Sequence, residues 1–229
     1  MARDEALMLR AADVSFLPTL RLYEWETTIS LGYFQHYDDV SRQDSNVAAL
    51  PVVRRLTGGG AILHDLELTY SMVLPVSHPI VDGRPNRLYE IAHDAMIELL
   101  SSEGLGAHRN GNTDDSGAAK GPFFCFARRH ALDVLIGNDK IAGSAQRRTR
   151  TAILQHGSLI LGRRFAVQPS AEIDHSHEAL IARARIRFPE IFTALLNMQG
   201  MTGEWSAKEL EEADALRAKY LGAEWTRRV

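Results

Sequence analysis

The sequence predicts a mixed α+β domain. Short apolar or alternating runs bounded by glycine and turn residues fill the first two thirds, which is the pattern of strands. Stripes of helical period mark residues 87–103 and most of the chain from about residue 172 onward. No repeat, linker or low-complexity segment divides the 229 residues, so a single domain over 1–229, mainly helical in its final part, is expected.

Taken in order, Ala6, Leu7, Leu9 and Ala12 give a short amphipathic helix over residues 4–12. Leu20 to Trp25 alternates apolar and polar residues, and Thr28 to Leu31 stops at Gly32 before Tyr33, Phe34 and Gln35, which reads as a hairpin-like arrangement. An apolar run from Ala48 to Arg54 leads into Gly58-Gly59-Gly60, and Ala61–Leu63 and Leu68–Leu74 are two further strands. A loop over 75–85 precedes the helix 87–103, whose Leu88, Ile91, Ala92, Ala95, Met96, Leu99 and Leu100 form one stripe that Gly104 ends. Residues 108–122, rich in Gly, Asn, Asp and Ser, predict a mobile loop just ahead of Cys125. Strands follow at 131–136, 140–142 and 152–161, the first two joined by Gly137-Asn138-Asp139. Near the end Ser206 and Glu209 fit a capping box, followed by Leu210, Ala213, Leu216 and Tyr220 at helical spacing.

With 45% apolar and 24% charged residues, the chain can bury a sizeable core. It has no basic leader ahead of an apolar stretch and no run of about eighteen apolar residues, so neither export nor membrane spanning is expected, and the cytoplasm is. A net charge of −3 gives no case for nucleic acid or an anionic membrane as a partner. The charge is unevenly spread. Between Lys120 and Arg164 nine Lys/Arg stand against Asp133 and Asp139, a net of +7, which leaves −10 for the remainder. Such a basic island fits an anionic partner met at one place, although half of these residues would serve equally as a solvated surface.

Three segments carry chemistry. In Arg54-Arg55-Leu56-Thr57-Gly58-Gly59-Gly60-Ala61-Ile62-Leu63-His64-Asp65, three consecutive glycines between strands are entropically costly, and their backbone can approach a ligand closely with its N–H groups free. The segment is neither a P-loop nor a dinucleotide fingerprint. A tight turn would explain the glycines alone; flanking Arg54, Arg55 and His64 shift the reading to a ligand site. In the second segment Cys125, the only cysteine, lies among Phe123, Phe124 and Phe126, the setting of an inert apolar residue. Lys140, fifteen residues on across a strand and a turn, can stand beside it in a hairpin and convert it into a reactive thiol. Gly143, Ser144 and Ala145 let backbone come near a substrate. In the third, His156-Gly157 in an apolar strand is either a satisfied structural histidine or a site wall, and spacing does not separate the two.

Together these segments resemble the lipoate/biotin ligase superfamily along nearly the whole chain. Residues 54–65 are similar to the ligand-binding loop shared by lipoate–protein ligases and octanoyltransferases, and Glu67-Leu68-Thr69-Tyr70-Ser71 looks like the octanoyltransferase version. Cys125-Phe126, Lys140-Ile-Ala-Gly-Ser-Ala-Gln146 and Leu154-Gln-His-Gly-Ser158 resemble the cysteine-dependent octanoyl-[acyl-carrier-protein]:protein N-octanoyltransferases, the LipM type. The resemblance implies an α+β (α/β) fold, a mixed, largely antiparallel β-sheet flanked by helices and related to biotin ligases and class II tRNA synthetases. It implies that Cys125 carries the acyl group as a thioester and that Lys140 promotes its thiolate. Substrate contacts are then expected from Arg55, Gly58, Gly59, Gly60, His64, Gly143, Ser144, Ala145, His156 and Gly157, with an apolar slot from Phe123, Phe124 and Phe126. The implied donor is octanoyl-acyl carrier protein, an acidic partner that gives the basic island a use. The implied acceptor is a lipoyl-accepting domain, the glycine cleavage H protein or a 2-oxoacid dehydrogenase E2, with no cofactor and no metal ligands. Triple glycine is more usual in ATP-dependent lipoate–protein ligases, which require ATP and Mg, so that alternative stays open beside a lipoyl-domain amidotransferase.

Overall fold

The computed structural model of the chain describes residues 1–84, 86–111 and 121–229. Six strands form one antiparallel sheet in the order β1 (Thr19–Tyr23), β5 (Glu67–Pro75), β9 (Ala152–Ile160), β8 (Asp139–Arg148), β7 (Val134–Ile136) and β6 (Ala107–Arg109). A second sheet has the order β3 (Val52–Arg54), β2 (Thr28–Leu31) and β4 (Ile62–His64), with β2 parallel to β3 and antiparallel to β4. The expected mixed, largely antiparallel arrangement is therefore present, divided between two sheets.

The central strands β5 and β9 are buried along almost their entire length, which is why they read as continuous apolar runs rather than alternating ones. Both faces are covered. Leu68, Tyr70, Met72 and Leu74 point to α3 (Arg87–Ser102) and α4 (His177–Leu195), where they meet Leu88, Ala92, Phe188 and Phe192. Val73, Ala152 and Leu154 point the other way, to Leu7 and Met8 of α1 (Ala2–Arg10), Ala11 at its C-terminal cap and Tyr220 of α5 (Ala207–Leu221). The capping box of Ser206 and Glu209 starts α5 as expected. Its far end returns to the beginning of the chain, where Lys219 pairs with Glu5 at 2.7 Å. The short α6 (Ala223–Thr226) follows, and Thr226 O accepts from Arg54 Nε and Nη2 at 3.0 and 2.8 Å.

The hairpin-like reading of residues 28–35 is corrected: β2 ends at Leu31, residues 33–35 form no strand, and β1 and β2 lie in different sheets. Gly32 instead lets the chain pass close to the glycine loop, since a Cβ there would collide with the backbone of Gly59. Of the loop expected over 108–122, the start belongs to β6 and residues 112–120 lie outside the described residues, Lys120 among them. No helix among the described residues is long and apolar enough to cross a membrane.

Candidate active site

One wall of the site is the loop between β3 and β4. Arg55 is 2% exposed, and burial pushes its guanidinium down to about 10, so it stays charged at neutral pH. Among the described residues no carboxylate meets it. Instead Nη2 donates to Gly58 O and Gly60 O at 2.8 and 2.6 Å, Nη1 to Ser30 O at 2.8 Å, and Nε to Thr57 Oγ1 at 3.2 Å. The loop carbonyls are thereby drawn inward, with Gly59 at φ +94°, a backbone state that glycine enters without strain. The N–H groups of Gly58, Gly59 and Gly60 donate to no acceptor in the described chain. Arg54, by contrast, is framework: its donors serve Gly32 O, Tyr33 O, Gln35 O and Thr226 O.

The facing wall carries Cys125 at the start of a single 3₁₀ turn, residues Cys125–Ala127. Two bonds tie this turn to the exit of the glycine loop: Ala61 N donates to Phe123 O at 2.8 Å, and Cys125 N donates to Ala61 O at 2.7 Å. Gly60 permits the approach, since a Cβ there would lie 2.9 Å from Cys125 N. Lys140, near the start of β8, places Nζ 3.8 Å from Cys125 Sγ and 3.4 Å from Cys125 O. Its charge is met by Asp133 Oδ2 at 2.8 Å, with both side chains buried, and that carboxylate also accepts from His130 N at 2.8 Å. The Phe126 ring lies 5.2 Å from Nζ. Gly143 gives Lys140 its space, because a Cβ would fall 2.7 Å from Cε and 2.9 Å from Nζ.

Between the walls is a pocket of about 490 Å³, part of it open to solvent. Cys125, Arg55, Gly58, Gly59, His64, Gly143, Ser144, Ala145, His156 and Gly157 all line it. Gly60 does not; it packs against the Cys125 backbone. Of the three phenylalanines only Phe126 reaches the pocket, while Phe123 and Phe124 stack edge-on at 4.9 Å and join Ile29, Leu31 and Leu63 in a separate cluster. The apolar lining comes instead from Tyr23, Trp25 and Ile62, which sequence reasoning left unassigned. Asp133 was also missed, although a lone acid inside the apolar strand 131–136 is a signal that a buried partner exists.

Behind the pocket run two polar networks. His156 bonds Thr57 Oγ1 through Nε2 at 2.7 Å and faces Asp4 Oδ2 with Nδ1 at 3.7 Å. It is thus a satisfied histidine and a site wall at once, and burial holds its pKa below the ordinary value. Burial alone would raise Asp4, but His156, the N-terminal ammonium and Arg21, whose Nη1 lies 2.6 Å away, hold it well below the usual carboxylate range. On the other side of β8, Ser144 Oγ lies 2.7 Å from both Tyr70 OH and His93 Nε2. His93 Nδ1 meets Leu132 O, a pure acceptor, so Nδ1 carries the proton and Ser144 donates to Nε2. Burial lowers His93 to about 4.

Residues 1–173 match the model of the lipoyl protein ligase A/B catalytic domain. The chain is 33% identical to an octanoyltransferase LipM of Kyrpidia tusciae and 34% identical to one of Moorella thermoacetica, in each case over 100% of this chain and 93% of the relative. Among solved structures, a putative lipoate protein ligase of T. acidophilum with bound lipoic acid superposes with a TM-score of 0.75 at 23% identity, covering 100% of this chain and 95% of that one. A lipoate-protein ligase A bound with ATP gives 0.76 at 23% identity, over 99% and 92%. At that identity these two structures speak for the fold.

Proposed function

As a member of the lipoyl protein ligase A/B catalytic-domain family whose full-length relatives are octanoyltransferases, the chain transfers octanoyl groups, and we propose that it does so through a thioester on Cys125. The observation that carries this reading is Lys140 Nζ at 3.8 Å from the sulfur, fixed there by Asp133. A cation at that range stabilises the anionic sulfur that attacks a carbonyl. In the first half-reaction Cys125 adds to the carbonyl carbon of octanoyl-acyl carrier protein. The intermediate collapses with loss of the carrier's sulfur, which takes up a proton, and octanoyl-Cys125 remains. In the second, the unprotonated amine of a lysine on a lipoyl-accepting domain adds to the same carbon. Cys125 departs as thiolate and the new amide nitrogen releases its proton. The lysine belongs to the glycine cleavage H protein or a 2-oxoacid dehydrogenase E2. The donor thioester already holds an activated acyl group, so neither ATP nor Mg enters the sequence. This reading assigns the reaction to the cytoplasm.

The oxyanion of each tetrahedral intermediate is assigned to the free amides of Gly58 and Gly59, where one such donor contributes about 3 kcal/mol. Gly143–Ala145 also line the pocket, but their ladder with β9 engages amides at alternate residues. The octanoyl tail is assigned to the space beside Tyr23, Trp25, Ile62 and Phe126, where burying its methylenes contributes about 5 kcal/mol.

The test is incubation with octanoyl-acyl carrier protein without ATP, followed by intact-protein mass spectrometry. A hydroxylamine-labile octanoyl adduct is expected on the wild type and not on Cys125→Ser. No adduct on the wild type, or one that survives in Cys125→Ser, would sink the thioester. Transfer that requires ATP would make the enzyme a ligase, and acylation only from an octanoylated lipoyl domain would make it an amidotransferase.

A further inference from the structure

Tyr33 lies against the entrance to the glycine loop, where its N–H donates to Thr57 O at 2.8 Å. Two guanidinium groups share its ring. Arg228, from the C-terminal end, has Cζ 4.0 Å from the ring centroid, and Arg147, on β8, has Cζ 5.1 Å from it. Arg228 also lies 5.2 Å from the ring of Trp225. Among the described residues neither arginine is ion-paired with a carboxylate. By contrast the nearby Lys219, 4.1 Å from the Trp225 ring, is neutralised by Glu5 at 2.7 Å. The Tyr33 ring attracts both cations without neutralising them, and no carboxylate of the described residues does so; an anion between them would.

The position of this pair relative to the nucleophile is set by one strand. Gly143, Ala145 and Arg147 alternate onto the same face of β8. Gly143 lies against Lys140 Nζ, Ala145 lines the pocket, and Arg147 is four residues from Gly143, roughly 13 Å along the strand. The pair and the Lys140–Cys125 end of the strand are thus two points on one face of β8, separated by about that span. A phosphopantetheine arm has this layout: a phosphodiester at one end, an extended amide chain, and a thioester at the other. A planar guanidinium presents paired donors that match phosphate oxygens, and stacking on an aromatic face fixes its direction.

We propose that Arg147 and Arg228, presented on Tyr33, bind the phosphate of the donor's phosphopantetheine arm and so deliver its thioester to Cys125. The inference rests on the carrier-protein donor assigned above. It is tested by binding, which does not depend on turnover: titrate the wild type with holo- and with apo-acyl carrier protein, the latter lacking the arm. The expected result is that holo binds about tenfold or more tighter than apo, that added salt erodes the difference, and that Arg147→Gln/Arg228→Gln reduces the ratio to near one. Arg147→Lys/Arg228→Lys should keep part of the ratio, and a cooperative melting transition checks that each variant is folded. A holo-to-apo ratio that survives the glutamine double variant overturns the proposal. So does weakened binding of the lipoyl domain with the ratio intact, which would assign the pair to the acceptor. If no octanoyl adduct forms but the ratio behaves as expected, the thioester reading fails while this one stands.

Discussion

Two buried cations flank the pocket and are neutralised in different ways. Arg55 has its charge spread over carbonyls of Ser30, Gly58 and Gly60 and the Thr57 hydroxyl, so all three of its nitrogens are occupied. Lys140 has one carboxylate, Asp133, and keeps further N–H groups aimed at Cys125. An arginine does not release its proton, and one whose donors all grip backbone acts as a brace. A lysine beside a sulfur can both hold charge and exchange a proton. On the proposed mechanism the glycine wall is then a frame that aims amides, while the cysteine wall performs the proton and acyl chemistry.

This division is broken most readily at Lys140. Lys140→Ala is expected to slow octanoyl transfer by about 10²–10⁴, the range for losing a positioned proton-transfer group. Alkylation of Cys125 by iodoacetamide at neutral pH should slow in parallel, followed by mass spectrometry. Unchanged alkylation would leave the lysine a role in the acceptor step only. Arg55→Ala should act through the fold instead. It leaves buried carbonyls without donors and should lower unfolding free energy by at least about 3 kcal/mol in urea titration, with Arg55→Lys recovering part. Wild-type stability combined with lost activity would turn the brace into a substrate contact.

The two walls were not equally legible in the sequence. Cys125, Lys140 and the triple glycine could be read, because a hairpin spacing and a run of glycines are local signals. The central strands and α3 followed from apolar periodicity for the same reason. What sequence hides is non-local pairing. Asp133 finds Lys140 only when β7 pairs with β8, Asp4 finds His156 only when α1 packs on the sheet, and Arg228 reaches Tyr33 only because the last helix returns to β3. The phenylalanines misled because identity does not reveal direction: Phe126 faces the pocket, and Phe123 and Phe124 face the second sheet. Arg54 and Arg55 are adjacent in sequence and alternate sides of the chain, so only one of them reaches the site.

Behind the cysteine wall, His93 supplies a pH test of how firmly β8 is held. Burial lowers its folded pKa to about 4, so the unfolded chain accepts a proton near pH 6.5 that the folded chain resists. The full stability is present above about pH 6.5 and falls by about 3 kcal/mol as the pH drops toward 4. His93→Gln lacks this group, and its urea-derived stability should decline less over the same window. Equal declines in the two proteins would mean that His93 takes up a proton in the folded state at the ordinary pH.

The smallest effect contrasts one glycine from each wall. Gly59 has φ +94°, and its Cβ would meet only the end of Arg55, at 3.1 Å from Nη2, so Gly59→Ala should cost about 1–2 kcal/mol of stability through backbone strain. Gly143 is not in the positive-φ region; its Cβ would press on Lys140 Cε and Nζ and stand 3.2 Å from Asp133 Oδ1. Gly143→Ala should therefore displace the ammonium from Sγ and lose octanoyl transfer by a larger factor than Gly59→Ala, at a comparable melting temperature. If instead Gly59→Ala lowers kcat more than Gly143→Ala does, the glycine wall contributes more to the reacting state than a frame should, and its amides rather than the Lys140 ammonium dominate the barrier.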